Sequence, residues 1–158
     1  MYAALLFEMW IDLARETGPP AGAQPHRTRL LGPIQAGCFV EPSLRGTVRS
    51  GRAEARSLWP AGERTPDVGL ALDTADGHCI VMAYWGLTWI SRQMWQRMSH
   101  VMPYDPTAAS FRTTPRFVTR STQYGWLNRL VAVSIGQWTP LRLRYMVYAL
   151  PSTGDHAQ

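Results

Sequence analysis

The sequence predicts an all-β fold, an antiparallel barrel carrying one short helix. Three observations lead there. Short apolar segments recur between Gly- and Pro-rich breaks along nearly the whole chain. Val68 to Asp73 alternates strictly, with Val68, Leu70 and Leu72 on one face, and Ala75-Asp-Gly77 follows it as a hairpin signal. Only one stretch, Thr88 to Val101, carries an apolar stripe at helical spacing, through Ile90, Met94, Trp95, Met98 and Val101.

Taken in order, Leu5 to Leu13 reads as the first strand. Gly18 to Pro25 breaks it as a loop, and Arg27 to Gln35 is a second strand closed by Gly37. Leu44 to Arg49 is a short third strand. Arg52 to Leu58 reads either as a fourth strand or as a single helical turn, and Pro60-Ala-Gly62 turns the chain. After the alternating strand and its hairpin, Cys79 to Trp85 returns as an apolar strand ending at Gly86. Thr88 then offers an N-cap for the helix. Pro103 to Ser110 is a loop, and Phe111 to Arg120, Leu127 to Ile135 and Leu141 to Leu150 are three closing strands. The expected organisation is one domain over residues 1–150 with a disordered tail at 151–158.

Composition narrows the function. The formal charge is +5 and every one of the 16 basic residues is Arg, but these are spread from Arg15 to Arg144 rather than clustered, which argues against nucleic acid as a partner. No apolar run approaches a membrane span and no signal h-region is present, so the cytoplasm is the default location. Cys38 and Cys79 lack C-x-x-C spacing and read as small buried thiols, with a disulfide left open. The four His show no metal-ligand spacing, and no phosphate-loop, dinucleotide or nucleophile-elbow motif occurs, so no cofactor is expected. Seven Trp, six Tyr and four Phe supply rings to fill a core or to line a cavity.

The most specific motifs are Phe111-Arg-Thr-Thr-Pro-Arg-Phe117 and Tyr124-Gly-Trp-Leu-Asn-Arg129, in which polar side chains sit between aromatic anchors. Together they resemble the family called domain of unknown function 3237, whose members look like closed barrels related to allene oxide cyclases and dirigent proteins. Leu44-Arg-Gly-Thr-Val48, Pro66-Asp67 and Ala75-Asp-Gly77 add weaker matches, so the resemblance runs from about Leu6 to Leu150. Glu54 falls where the family usually carries aspartate before tryptophan, although Ala55 stands in place of the tryptophan.

The resemblance implies a closed barrel with a ligand in its lumen. On that reading Gly69, Ala71 and Asp73, and Val81, Ala83 and Trp85 on the next strand, take lumen positions that larger polar residues fill in the family. Lost side-chain volume makes the pocket wider and greasier. The opposite phase, with these residues facing a helix or a partner, is the alternative. Asp67, Glu54, Arg45 and Arg112 are the expected catalytic set. A carboxylate would act as acid or base, and an arginine would steady a developing oxyanion. Val81, Ala83, Trp85, Tyr124, Trp126 and Asn128 are the expected substrate-binding set. Asp67 beside Pro66 reads equally as a turn or cap residue. The function expected is a cofactor-independent cyclase or isomerase, or a dehydratase, acting on a largely apolar polyketide- or terpenoid-like intermediate in secondary metabolism. A non-catalytic binding barrel is the alternative, a barrel whose aromatic surface mainly mediates self-association is a third reading, and a homo-oligomer is the expected state.

Overall fold

A computed structural model describes residues 3–13, 33–49, 51–57, 63–100, 102–139 and 142–151. Nine strand segments run β1 (Ala4–Leu13), β2 (Pro33–Pro42), β3 (Gly46–Val48), β4 (Gly51–Ser57), β5 (Glu63–Thr74), β6 (Cys79–Trp89), β7 (Ser110–Val118), β8 (Ala132–Thr139) and β9 (Arg142–Ala149). One α-helix, α1 (Arg92–Ser99), and two 3-10 turns at Pro106–Ala108 and Gly125–Arg129 complete the described elements. All pairings are antiparallel. β3 and β4 both pair with β2 and with β5, so they share one position, and β1 pairs with both β9 and β2. The sheet therefore closes as an eight-position barrel, as the sequence predicts.

β6, β7 and β9 each alternate a buried row with a more exposed one, and the buried side chains of the described strands meet inside the barrel. Phe7, Met9 and Ile11 enter from β1, Phe39 from β2, Leu70 and Leu72 from β5, Ile80, Met82 and Tyr84 from β6, Phe111 and Phe117 from β7, and Leu143, Tyr145 and Val147 from β9. Their rings pack edge to face: Phe7 lies 6.1 Å from Phe117, and Phe111 lies 5.3 Å from Tyr145. Ile90 and Met94 join the same core at the end where α1 sits. Two hydroxyl pairs are enclosed within it, Tyr84 with Tyr145 at 2.6 Å and Thr113 with Ser134 at 2.5 Å. Each partner satisfies the other, which is the condition for keeping a polar group in an apolar interior.

Several boundaries differ from the expected ones for physical reasons. The first and fourth strands stand as strands, and Arg52–Leu58 is not a helical turn through Ser57. β2 runs through Gly37, because a Cβ there would stand 2.6 Å from the Trp10 carbonyl oxygen, so the glycine permits strand crossing and does not stop it. The expected strand at residues 27–32 lies outside the described residues, as do the loop at 18–25 and the tail from 152 onward. β6 likewise continues past Gly86, where a Cβ would meet the Arg112 carbonyl oxygen. Thr88 is therefore a buried strand residue and caps nothing; the α1 N-terminus is instead held by Ser91, whose Oγ accepts the Met94 N–H at 3.1 Å. Leu127 belongs to a 3-10 turn, and β8 begins only at Ala132. Cys38 and Cys79 are free and exposed, on the outward rows of β2 and β6, and not the buried thiols expected.

Candidate functional site

The lumen assignment for Val81, Ala83 and Trp85 is overturned. All three are exposed, Trp85 at 63%, while Ile80, Met82 and Tyr84 occupy the inward row. The cause is the β5–β6 register. The tight hairpin places Leu72 against Ile80, Leu70 against Met82 and Val68 against Tyr84, so the apolar face of β5 carries its neighbours inward with it. Gly69, Ala71 and Asp73 face outward for the same reason, and Asp73 pairs with Arg49 at 2.6 Å. Arg112 is also on the outer wall, where its Nη1 donates to the Phe111 carbonyl at 2.9 Å. Glu54 and Asp67 are cross-strand partners in the β4–β5 register, and Asp67 is in turn in register with Trp85. The side chains of Glu54 and Asp67 lie outside the described residues.

The structure does bring two of the expected residues together, at the end of the barrel away from α1. There the β2–β3 loop, the β5–β6 hairpin and the β7–β8 connection surround an open cleft of about 420 Å³. It is lined by Pro42, Ser43, Leu44, Arg45, Ala75, Asp76 and Tyr124. Its volume falls within the range of small-molecule sites, about 300–1,000 Å³. Leu44 is buried and anchors its loop in the core, which presents the neighbouring Arg45 at the surface. The Arg45 carbonyl accepts the Ala75 N–H at 3.0 Å, fastening that loop to the hairpin.

Asp76, at the hairpin tip, is the hub. Its Oδ2 accepts the Tyr124 hydroxyl at 2.8 Å and the Gln123 amide at 2.9 Å, and its Oδ1 accepts the Thr74 hydroxyl at 2.5 Å. The Thr74 and Tyr124 hydroxyls hold the Asp76 carboxyl below its ordinary value, with a smaller contribution from His78. The same bond, by stabilising the protonated phenol, raises Tyr124. His78 packs edge-on against the Tyr124 ring at 5.4 Å. The cleft is thus lined by Arg45, a fixed carboxylate and the phenol bonded to it.

Trp126 and Asn128 follow Tyr124 on the 3-10 turn. Trp126 is 40% exposed. The Asn128 amide does structural work: its Oδ1 accepts the Thr119 N–H at 2.8 Å and its Nδ2 donates to the Thr119 carbonyl at 3.0 Å, closing the β7–β8 connection. Asp76, Gln123 and His78 are the residues that sequence reading missed. Ala75-Asp-Gly77 reads as a hairpin, and nothing local in it says that residues 123–124 arrive beside the aspartate. Among the described residues, no group of three His, Cys, Asp or Glu side chains is placed to hold a metal ion. No described helix is long and apolar enough to cross a membrane.

Comparison with known proteins agrees with the architecture. The sequence model of the family described as "Protein of unknown function (DUF3237)" matches residues 3–150. A β-barrel-like protein from Acinetobacter baumannii AYE superposes with a TM-score of 0.72 at 24% identity, covering 95% of this chain and 96% of its own. A protein of unknown function from Rhodopseudomonas palustris gives 0.78 at 21% identity, covering 94% and 95%. A structure described as an enzyme from Penicillium herquei gives 0.64 at 18% identity, covering 94% of both chains. At these identities the likeness is one of fold. No curated protein matches the sequence.

Proposed function

Because the chain belongs to the DUF3237 family of proteins of unknown function, a fold that includes a Penicillium herquei enzyme, we propose that it is a cofactor-independent cyclase or isomerase working at the barrel mouth. The substrate class is a largely apolar polyketide- or terpenoid-like intermediate bearing an ionisable hydroxyl or an enolisable carbonyl. The observation that carries the reading is the Asp76–Tyr124 pair opening onto the same cleft as Arg45.

The chemistry is a proton relay. A substrate hydroxyl donating to Tyr124 Oη would lie one bond from Asp76 Oδ2. As the proton leaves, the Tyr124 proton passes to Asp76 and the substrate proton takes its place. Arg45 favours the oxyanion that develops, which lowers the demand on a carboxylate held in its anionic form. The activated oxygen or its conjugate carbon then closes a ring or shifts a double bond, and the proton returns to the substrate, so composition is unchanged. Pro42 and the Tyr124 ring would orient the rest of the molecule.

A second reading, a non-catalytic binding barrel, is favoured by one observation: Asp76 already accepts three hydrogen bonds and is a weak base. One experiment separates the two. Extracts of polyketide- or terpenoid-producing cultures are incubated with wild type, Asp76→Asn and Arg45→Ala, then compared by chromatography and mass spectrometry. The enzyme reading expects a compound to change retention without changing mass, and the change to slow about 10²–10⁴-fold in Asp76→Asn. A compound retained by wild type but never converted establishes the binding reading instead.

A further inference from the structure

We propose that the outer face of β5, β6 and β7 is the interface of a two-fold homodimer, with Trp85 at its centre. The face is continuous. On the outward row of β6, Val81 is 47% exposed, Trp85 63%, Leu87 62% and Trp89 46%, and Val118 beside Val81 on β7 is 64% exposed. Gly69, Ala71 and Ala83 lie between them in register and expose almost no polar side-chain atoms.

The area fits a second copy of the chain. Five side chains so exposed present on the order of 600 Å² of apolar surface, at the upper limit of the largest patch on an ordinary monomer. With the intervening small residues and the flanking polar rim, the face reaches about 800 Å² per partner, the size of a standard stable interface. Its anatomy is also that of an interface, with aromatic residues at the centre and Arg112, Thr114 and Arg116 along one edge. No atom stands within 4 Å of where a Cβ of Gly69 would be, so the surface dips beside the Trp85 row and can receive side chains from a facing sheet. The strands of two such sheets would pack nearly aligned, as in a sandwich.

Charge selects the two-fold axis. An axis across the strands would set β7 against β7 of the other copy and bring Arg112 of each copy against Arg116 of the other, which like-charge repulsion disfavours. An axis along β6 sets β7 against the facing β5. That strand carries Asp67 in register with Trp85 and Glu63 in register with Trp89, while Arg112 is in register with Leu87. Each Arg112 therefore falls between the positions of two acidic residues, once on each side of the axis, as an isologous contact requires.

Sedimentation velocity from 1 to 100 µM on the full chain tests this, with Trp85→Glu, Arg112→Glu and, as a control outside β5, β6 and β7, Val131→Glu. Val131 is 64% exposed, so the control introduces the same charge at an equally open apolar site. Far-UV circular dichroism spectra that match wild type confirm folding. The expected result is a wild-type dimer whose dissociation constant rises at least 100-fold in Trp85→Glu, rises in Arg112→Glu and is unchanged in Val131→Glu. A wild type that stays monomeric at 100 µM overturns the proposal, as does one whose Trp fluorescence shifts only on adding phosphatidylcholine vesicles. A dimer unaffected by Trp85→Glu overturns the face, and one tightened by Arg112→Glu overturns the axis.

Discussion

Replacing Tyr84 with Phe removes one oxygen from the middle of the barrel and asks whether that interior is a packed core or a wet lumen. Tyr84 and Tyr145 are 2% and 0% exposed, and their hydroxyls meet at 2.6 Å with ring centroids 5.4 Å apart. Tyr84→Phe leaves the Tyr145 hydroxyl buried without this partner. An orphaned buried hydroxyl costs about 1–3 kcal/mol, whereas replacing both partners by apolar groups of the same shape is nearly neutral. Tyr84→Phe and Tyr145→Phe should therefore each lose about 1–3 kcal/mol, and the double variant should lose less than the sum by about 1 kcal/mol or more. For a chain of this size, that is a fall of about 2–12 °C in Tm for each single variant. Urea unfolding of the four proteins in the cycle gives the coupling directly. A pH series adds a second reading. Burial, as the largest cause, raises both phenols above the ordinary tyrosine value. A folded value above the unfolded one means the pair's stabilisation is full below about pH 10, the unfolded tyrosine value. It falls as pH rises beyond that, and the double Phe variant should escape that part of the loss. Neutral single variants would rule out a dry core, because they would mean that water already serves these hydroxyls in a hydrated lumen.

Other outcomes follow from the same contacts. Asn128→Ala should cost about 1–3 kcal/mol by urea unfolding, since it strands both backbone groups of Thr119. Tyr124→Phe should raise the Asp76 carboxyl back toward its ordinary value, read by carbon-13 NMR titration, because a hydroxyl that holds the anion is gone. Asp76 sits lower in the folded chain, so its contribution to stability is present above the unfolded carboxyl value and is lost as pH falls through the folded one; Tyr124→Phe should shrink that acid-side loss. Gly86→Ala should destabilise by about 1–3 kcal/mol or more, because the new methyl meets the Arg112 carbonyl. Gly125→Ala, with open space at the same point, should stay within about 0.5 kcal/mol.

The barrel was legible because its strands are punctuated by hairpins and because FRTTPRF and YGWLNR point to one family over nearly the whole length. The direction each strand faces was not legible from β6 alone. Both its rows are apolar, so alternation carries no phase there, and the family resemblance points to the wrong row. The information lay one strand earlier. Val68, Leu70 and Leu72 form the only apolar row of that segment, and the tight turn at Ala75-Asp-Gly77 couples Leu72 to Ile80, which carries Met82 and Tyr84 inward and Trp85 out. The glycines misled in the other direction. Gly37 and Gly86 read as stops, but each is the point where a neighbouring backbone comes too close for a side chain, and that closeness is a tertiary fact. Arg45 and Tyr124 were found because they fall inside family motifs. Asp76 was hidden because its turn chemistry is a sufficient explanation of it until residues from 48 positions away arrive at its carboxylate.

On the proposed reading, small molecules bind at the mouth of this barrel and not inside it. Nitrogen-15 NMR during titration with 2-naphthol, an apolar ring system with one ionisable hydroxyl, tests this directly. Binding at the mouth gives saturable shifts at the amides of Leu44, Arg45, Asp76, Gln123 and Tyr124, weakened in Arg45→Ala, with Leu72, Met82 and Tyr145 unmoved. Shifts concentrated on Leu72, Met82 and Tyr145, with the cleft amides still, would contradict it and return the ligand to the lumen.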